Sequence, residues 1–157
     1  FPGMKILQFA FGTDMERKFL PHNFETNCVV HTGSHDNDTT RAYFEKLKHD
    51  NSNDIFSATQ NYLNYYGDDI VFELIRVAYS SVANFVVIPL QDVLNLGNEA
   101  RMNFPGTLGC NWKWRFEFHQ FPHNLAKTYK RLTEIYERPS RAKIEEVKIE
   151  IENRFNF

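Results

Sequence analysis

The sequence predicts an α/β protein built on parallel strands, with its working residues gathered at one strand edge. Short apolar runs at residues 4–11 (MKILQFAF), 27–32 (NCVVHT) and 85–89 (FVVIP) each close on glycine, proline or small polar residues, as buried strands do. The second and third runs are separated by a wholly helical stretch, the crossover that parallel neighbours in one sheet require. The densest set of chemically capable side chains, His31, His35, Asp36 and Asp38, follows directly on the second run, where α/β proteins keep their sites.

Each element follows from local pattern. The run MKILQFAF ends at Gly12, Thr13 and Asp14, and the residues after it, with Pro21, His22 and Asn23, carry no helical or alternating period and read as a long loop. After the second run, Gly33 and Ser34 mark a turn, and Thr39 or Thr40 caps a helix through Tyr43, Phe44 and Leu47. The Asp, Asn and Ser cluster of residues 50–54 breaks it. A short helix over residues 55–66 is stopped by Gly67, and Asp68 and Asp69 open a stronger one on the apolar face of Ile70, Phe72, Leu74, Ile75, Val77, Ala78 and Val82. Past the third strand, residues 91–96 make one or two helical turns, and residues 97–109 form a loop punctuated by glycine and proline. The alternating WKWRFEF from Trp112 is an exposed edge strand or an extended aromatic segment. Helices over residues 124–136 and 140–154 finish the chain, their alternating charges marking solvated outer helices.

Composition narrows the function classes. A chain of 157 residues with 42% hydrophobic and 24% charged residues is an ordinary globular protein, and its mean hydropathy of -0.50 and short apolar runs exclude a membrane-spanning helix. The net charge of -2, from 18 Lys and Arg against 20 Asp and Glu, argues against a nucleic-acid partner. Cys28 and Cys110 lie far apart without zinc-finger spacing, so a reducing, intracellular setting is expected. Aromatics make up 15% of the chain, a load that must be buried or must bind something. The opening Phe1, Pro2, Gly3 reads as the start of a piece cut from something longer.

The cluster after the second strand admits three readings. His31 and His35 are four residues apart, but across a strand end and a glycine turn that spacing does not enforce a metal site. Asp36, Asn37 and Asp38 imitate the start of a calcium loop, yet Arg41 stands where such a loop requires glycine and Leu47 where it requires glutamate. In the third reading, residues 36–39 only cap the next helix. Neither metal reading is adopted, and no metal or cofactor is expected.

Five stretches bear on the choice: MKILQFAF from Met4, LPHNF from Leu20, HTGSHDNDTT from His31, PLQDVLNLGNEARMNFPGT from Pro89 and GCNWKWRF from Gly109. Together, in this order, they resemble the C-terminal portion of amylomaltase, the 4-α-glucanotransferase family of bacteria and plastids. The match is poorer over residues 46–66 and after Phe118.

The resemblance implies a (β/α)8 barrel of the α-amylase clan, of which residues 1–157 supply about strands six to eight plus helices, with residues 124–157 as outer closing helices. A whole barrel takes about 250 residues. It further implies transfer of α-1,4-glucan segments between maltooligosaccharides by a retaining double displacement, which needs a carboxylate nucleophile and a carboxylic acid about 5 to 5.5 Å apart. In the family both come from strands earlier than MKILQFAF, so the chain by itself is expected to be inactive. The resemblance assigns Asp36 as the third carboxylate, accepting hydrogen bonds from the sugar 2- and 3-hydroxyls and stabilising the transition state, with His35 donating to the same hydroxyls. Asn103 is expected to touch donor-side sugar, against the plainer reading of loop stabilisation. Phe9 matches an acceptor-side aromatic, a core position being the alternative. Asp38 is expected to cap the helix and support the motif. Trp112 and Trp114 are expected to pack the closing segment rather than form a starch platform. The partners implied are an α-1,4-glucan or maltooligosaccharide and the N-terminal part of the same barrel, in the cytoplasm or a plastid. The competing class is a non-catalytic carbohydrate-binding or interaction domain that reuses this half-site.

Overall fold

The computed structural model describes residues 2–12, 17–49 and 53–138. The chain divides into two compact units, Phe1–Glu117 and Phe118–Phe157. The first holds a parallel sheet of three strands in the order β1 (Gly3–Ile6), β2 (Cys28–His31), β3 (Phe85–Val86). Register aligns Met4 with Val29 and Phe85, and Lys5 with Val30 and Val86.

The two faces of this sheet differ, because successive side chains alternate. Cys28 and Val30 point into a core closed by the helices α1 (Thr40–His49), α2 (Asn53–Leu63) and α3 (Ile70–Ser80), where Phe44, Leu47, Leu63, Ile70, Leu74 and Ala78 are buried. On the other face Met4 and Phe85 are 56% and 64% exposed, with Val87 exposed above them. A three-stranded parallel sheet with helices on one side thus leaves an apolar face open. Among the described residues no helix is long and apolar enough to cross a membrane.

Several boundaries depart from the sequence reading. The first strand stops at Ile6, and Leu7–Phe11 winds into a 3₁₀ helix that buries Leu7, Gln8, Ala10 and Phe11. An apolar run of this length satisfies either backbone path, and burial of Gln8 against the next loop decides for the turn. Helix α2 ends at Leu63 because Asn64 adopts φ 50°, the left-handed C-terminal conformation that asparagine tolerates, ahead of Gly67. Helix α3 starts as read: the Asp69 carboxylate accepts from the Phe72 amide at 3.1 Å. It ends at Ser80, so Val82 lies outside it and is exposed. The third strand pairs over two residues and adds one further bond, Val87 N to Val30 O at 3.0 Å.

A single turn, α4 (Leu90–Val93), follows β3 and carries the buried Asp92. The aromatic segment from Trp112 forms no strand. Trp112 itself sits at φ 62°, which interrupts an extended path, and Arg115 Nη1 donates to the carbonyls of both Trp112 and Trp114. In the second unit α5 (His123–Ile135) stands where a helix over residues 124–136 was predicted, with Leu132 buried. The expected final helix, residues 140–154, lies outside the described residues.

Candidate functional site

The site is built on the loop that leaves β2. Thr32 is fully buried and Gly33 is buried beside it, and a Cβ on Gly33 would lie 2.6 Å from the Gln8 Nε2, so glycine here lets the Gln8 amide pass beneath the loop. Residues 34–37 then turn on the Asn37 side chain: its Oδ1 accepts from Ser34 N at 3.0 Å and Ser34 Oγ at 2.6 Å, while Asn37 N donates to Ser34 O. That turn throws the two residues at its tip outward. The side chains of His35 and Asp36 are 55% and 49% exposed.

Asp36 is held from two sides. Its Oδ1 accepts from Asn103 Nδ2 at 2.6 Å and faces His35 Nε2 at 3.3 Å, leaving Oδ2 without a protein donor among the described residues. Asn103 N donates to the His35 carbonyl at 3.1 Å, so the two loops are tied by backbone as well. The His35 ring lies 5.0 Å from the Trp112 ring at 40°, and Trp112 N is anchored to Met102 O. His35, Asp36 and Asn103 therefore converge. An exposed carboxylate with one free oxygen, an imidazole and an amide suit hydroxyl groups better than an apolar ligand. Among the described residues no group of three or more His, Cys, Asp or Glu stands close enough to hold a metal.

Phe9 sits on the 3₁₀ turn beyond the end of β1. It is 42% exposed, edge-on to Phe19 at 5.3 Å, which removes the core alternative for this residue. No contact joins it to Asp36.

Asp38 is not the helix cap. Its carboxylate pairs with Arg101 Nη1 and accepts from Asn98 Nδ2 at 3.1 Å. The start of α1 is capped by Thr39, whose Oγ1 accepts from Ala42 N, and by the Asp92 carboxylate, which takes the Thr40 N–H at 2.8 Å. A carboxylate two positions before the helix loses to the closer hydroxyl and finds a guanidinium instead.

Arg101 went unnoticed in the sequence, although it lies inside a long motif. Its Nη2 donates to Asp36 O at 2.6 Å and its Nε to Asn103 O at 2.8 Å, and its guanidinium stacks on the Phe104 ring at 4.3 Å. Asp92 was also unremarked. It is 3% exposed and accepts hydrogen bonds from Thr32 and Thr40. Burial pushes its carboxyl up from the ordinary range, against the pull of the Thr32 and Thr40 donors. No local pattern in the sequence marks it, because its burial comes from partners 52 and 60 residues away in the chain.

The chain is similar to proteins of one family. A family model described as 4-alpha-glucanotransferase matches residues 1–120. The 4-alpha-glucanotransferase of Clostridium butyricum is 48% identical over 142 residues, 88% of this chain and 28% of that protein. A chloroplastic/amyloplastic 4-alpha-glucanotransferase of Solanum tuberosum is 44% identical over 134 residues, covering 85% of this chain and 23% of its own length. Among solved structures, an amylomaltase from Streptococcus agalactiae in complex with acarbose superimposes with a TM-score of 0.80 at 32% identity, over 89% of this chain and 28% of that one. The chain spans about a quarter of the length of the curated relatives it matches.

Proposed function

The chain belongs to the 4-alpha-glucanotransferase family, and on that premise we propose that it supplies the last strands of a (β/α)8 barrel and one wall of an α-1,4-glucan transfer site. The observation that carries this reading is the Asp36 carboxylate, outward-facing at the C-terminal strand edge, fixed through Oδ1 and open at Oδ2. In a retaining displacement the sugar ring flattens and gains positive charge, and a carboxylate hydrogen-bonded to its hydroxyls binds that form better than the ground state.

The roles divide by chemistry. Asp36 Oδ2 accepts from sugar hydroxyls, and His35 Nε2–H donates to a hydroxyl oxygen or to Asp36. Asn103 keeps one N–H on Asp36 and offers its carbonyl oxygen to the donor sugar, so it both touches substrate and holds the carboxylate. Phe9, exposed on the neighbouring strand end, offers a ring face to an acceptor pyranose. Arg101 is a positioning residue, since it binds the Asp36 carbonyl and not the carboxylate. Nucleophile and general acid come from the remainder of the barrel, which packs over the open face of Met4 and Phe85 and continues the sheet beside β1 and β3. The working compartment is the cytoplasm or, as in the potato relative's name, a plastid.

The test seats this chain in place of the matching segment of the Clostridium butyricum relative and follows glucose release from maltotriose. Transfer is expected from the chimera and none from the 157-residue chain alone. A chimera that melts cooperatively yet transfers nothing, while binding maltooligosaccharide, overturns the reading in favour of a non-catalytic binding domain.

A further inference from the structure

Beneath the loop that carries His35 and Asp36 lie four polar side chains from three different strand ends. Gln8, Thr32, Thr40 and Asp92 are at most 3% exposed, and they bond to one another. Asp92 Oδ2 accepts from the hydroxyls of Thr32 and Thr40, and its Oδ1 accepts the Thr40 N–H at 2.8 Å. Gln8 Nε2 donates to Thr40 Oγ1 at 3.2 Å and to the Asp38 carbonyl at 3.0 Å, and Gln8 N donates to Thr32 O. Thr32 precedes the loop and Thr40 follows it, so one carboxylate holds both its ends.

We propose that Asp92, relayed by Thr40 and Gln8, is a positioning residue that sets where the Asp36 carboxylate stands by clamping the two ends of its loop. The inference rests on the transfer function proposed above and adds to it residues that never meet the sugar.

The direction of the hydrogen bonds calls for an acceptor at both oxygens of position 92. Thr40 gives its hydroxyl proton to Asp92 and takes one from Gln8, and Thr32 has Asp92 as its hydroxyl acceptor. A carboxylate accepts all three donors, whereas an amide of the same shape turns an N–H toward two hydroxyls and leaves at least one proton without a partner. Buried carboxylates are expensive and an apolar side chain would pack here at less cost, so stability alone does not call for aspartate. What the carboxylate adds is geometry. It fixes the separation of Thr32 and Thr40, and Asn103 and Arg101 then hold the tip of a loop whose base cannot slide. A displacement of about 1 Å in a group that acts on the transition state costs on the order of 100-fold in rate.

Two measurements decide it. In the chimera with the Clostridium butyricum relative, Asp92→Asn and Thr40→Val are expected to lower kcat about 30- to 100-fold while KM stays within about threefold, and Thr40→Ser to recover most of the rate lost by Thr40→Val. In the 157-residue chain itself, amide exchange of residues 34–38 should rise at least about tenfold in Asp92→Asn, with the amides of α3 unchanged. Wild-type kcat in Asp92→Asn, equal loss in Thr40→Ser and Thr40→Val, or exchange that rises equally in α3 overturns the clamp. An unaltered chimera without transfer defeats the functional reading instead, and the exchange measurement still decides the clamp.

Discussion

Asp36→Asn is the change that separates charge from shape at this site. The Asn103 Nδ2–H at 2.6 Å demands an acceptor, so the new amide keeps its oxygen toward Asn103 and turns its NH2 to where the free Oδ2 stood. On the proposed function, the sugar then meets a neutral donor in place of a charged acceptor. A unit charge about 4 Å from a developing positive charge contributes about 4 kcal/mol at an effective dielectric of about 20. The ground-state sugar carries no such charge, so most of that difference appears in the transition state. The loss expected is about 3 to 5 kcal/mol, or two to four decades in kcat, with KM little changed. The assay is steady-state maltotriose disproportionation by the chimera, with glucose released as the signal and the melting temperature recorded for each variant. Asp38→Asn is the control. It keeps an oxygen for Arg101 and Asn98 but gives up the ion pair, a loss of about 1.5 kcal/mol read in folding stability, and it should lower the rate far less than Asp36→Asn. Transfer abolished by Asp38→Asn and left near wild type by Asp36→Asn would refute the assignment of Asp36.

The glycine at position 33 is required by the Gln8 amide beneath it: Gly33→Ala should push Nε2 off Asp38 and Thr40 and lower stability by about 1 to 3 kcal/mol, read by denaturant unfolding, and an unchanged midpoint defeats the point. His31 responds to pH. Burial holds its imidazole below the ordinary value of 6.5, partly offset by a backbone hydrogen bond with Val87, so between the folded pKa and 6.5 the unfolded chain binds more protons than the native one. Stability therefore rises with pH across that window and falls as pH drops below 6.5, and the wild-type minus His31→Gln difference should show that slope; a flat difference contradicts it. The open face of Met4, Phe85 and Val87 should make the 157-residue chain self-associate, and a sharp monomer in sedimentation velocity with cooperative unfolding counts against a barrel segment.

Helix positions were legible wherever apolar spacing and a cap agreed. Ile70, Leu74, Ile75 and Ala78 share one face of α3 and Asp69 caps it, so pattern and hydrogen bond point to the same start. The strands were legible in place but not in length. An apolar run such as MKILQFAF is equally consistent with strand and turn, and what ends β1 at Ile6 is a tertiary event, the burial of Gln8 under a loop 25 residues later in the chain. The WKWRFEF alternation failed as a strand signal for a related reason. Alternation describes two faces, and a strand also needs a neighbour to pair with; here the backbone turns through Trp112 to bring its ring against His35.

The residues at the tip of the loop were singled out by the family resemblance and not by local pattern, which left a helix cap and a site as equal readings; the structure brings His35, Asp36 and Asn103 together. The residues that hold the tip were not legible in this way, and the reason is physical. Asp38, Asp92 and Arg101 have ordinary polar identities, and only their partners, 52 to 65 residues away along the chain, distinguish a cap from an ion pair or a buried acceptor. Asp38 looked like a cap because it stands close before the helix, and the geometry gives that task to Thr39 and to a carboxylate that follows the neighbouring strand β3. The consequence is a division in how substitutions at this site should behave. On the proposed function, changes at Asp36, His35 or Asn103 alter what the sugar meets. Those at Asp92, Thr40 or Gln8 alter where Asp36 stands. Amide exchange of residues 34–38 therefore separates the two groups: it rises with changes beneath the loop and stays at the wild-type level with changes to the side chains of His35 and Asp36.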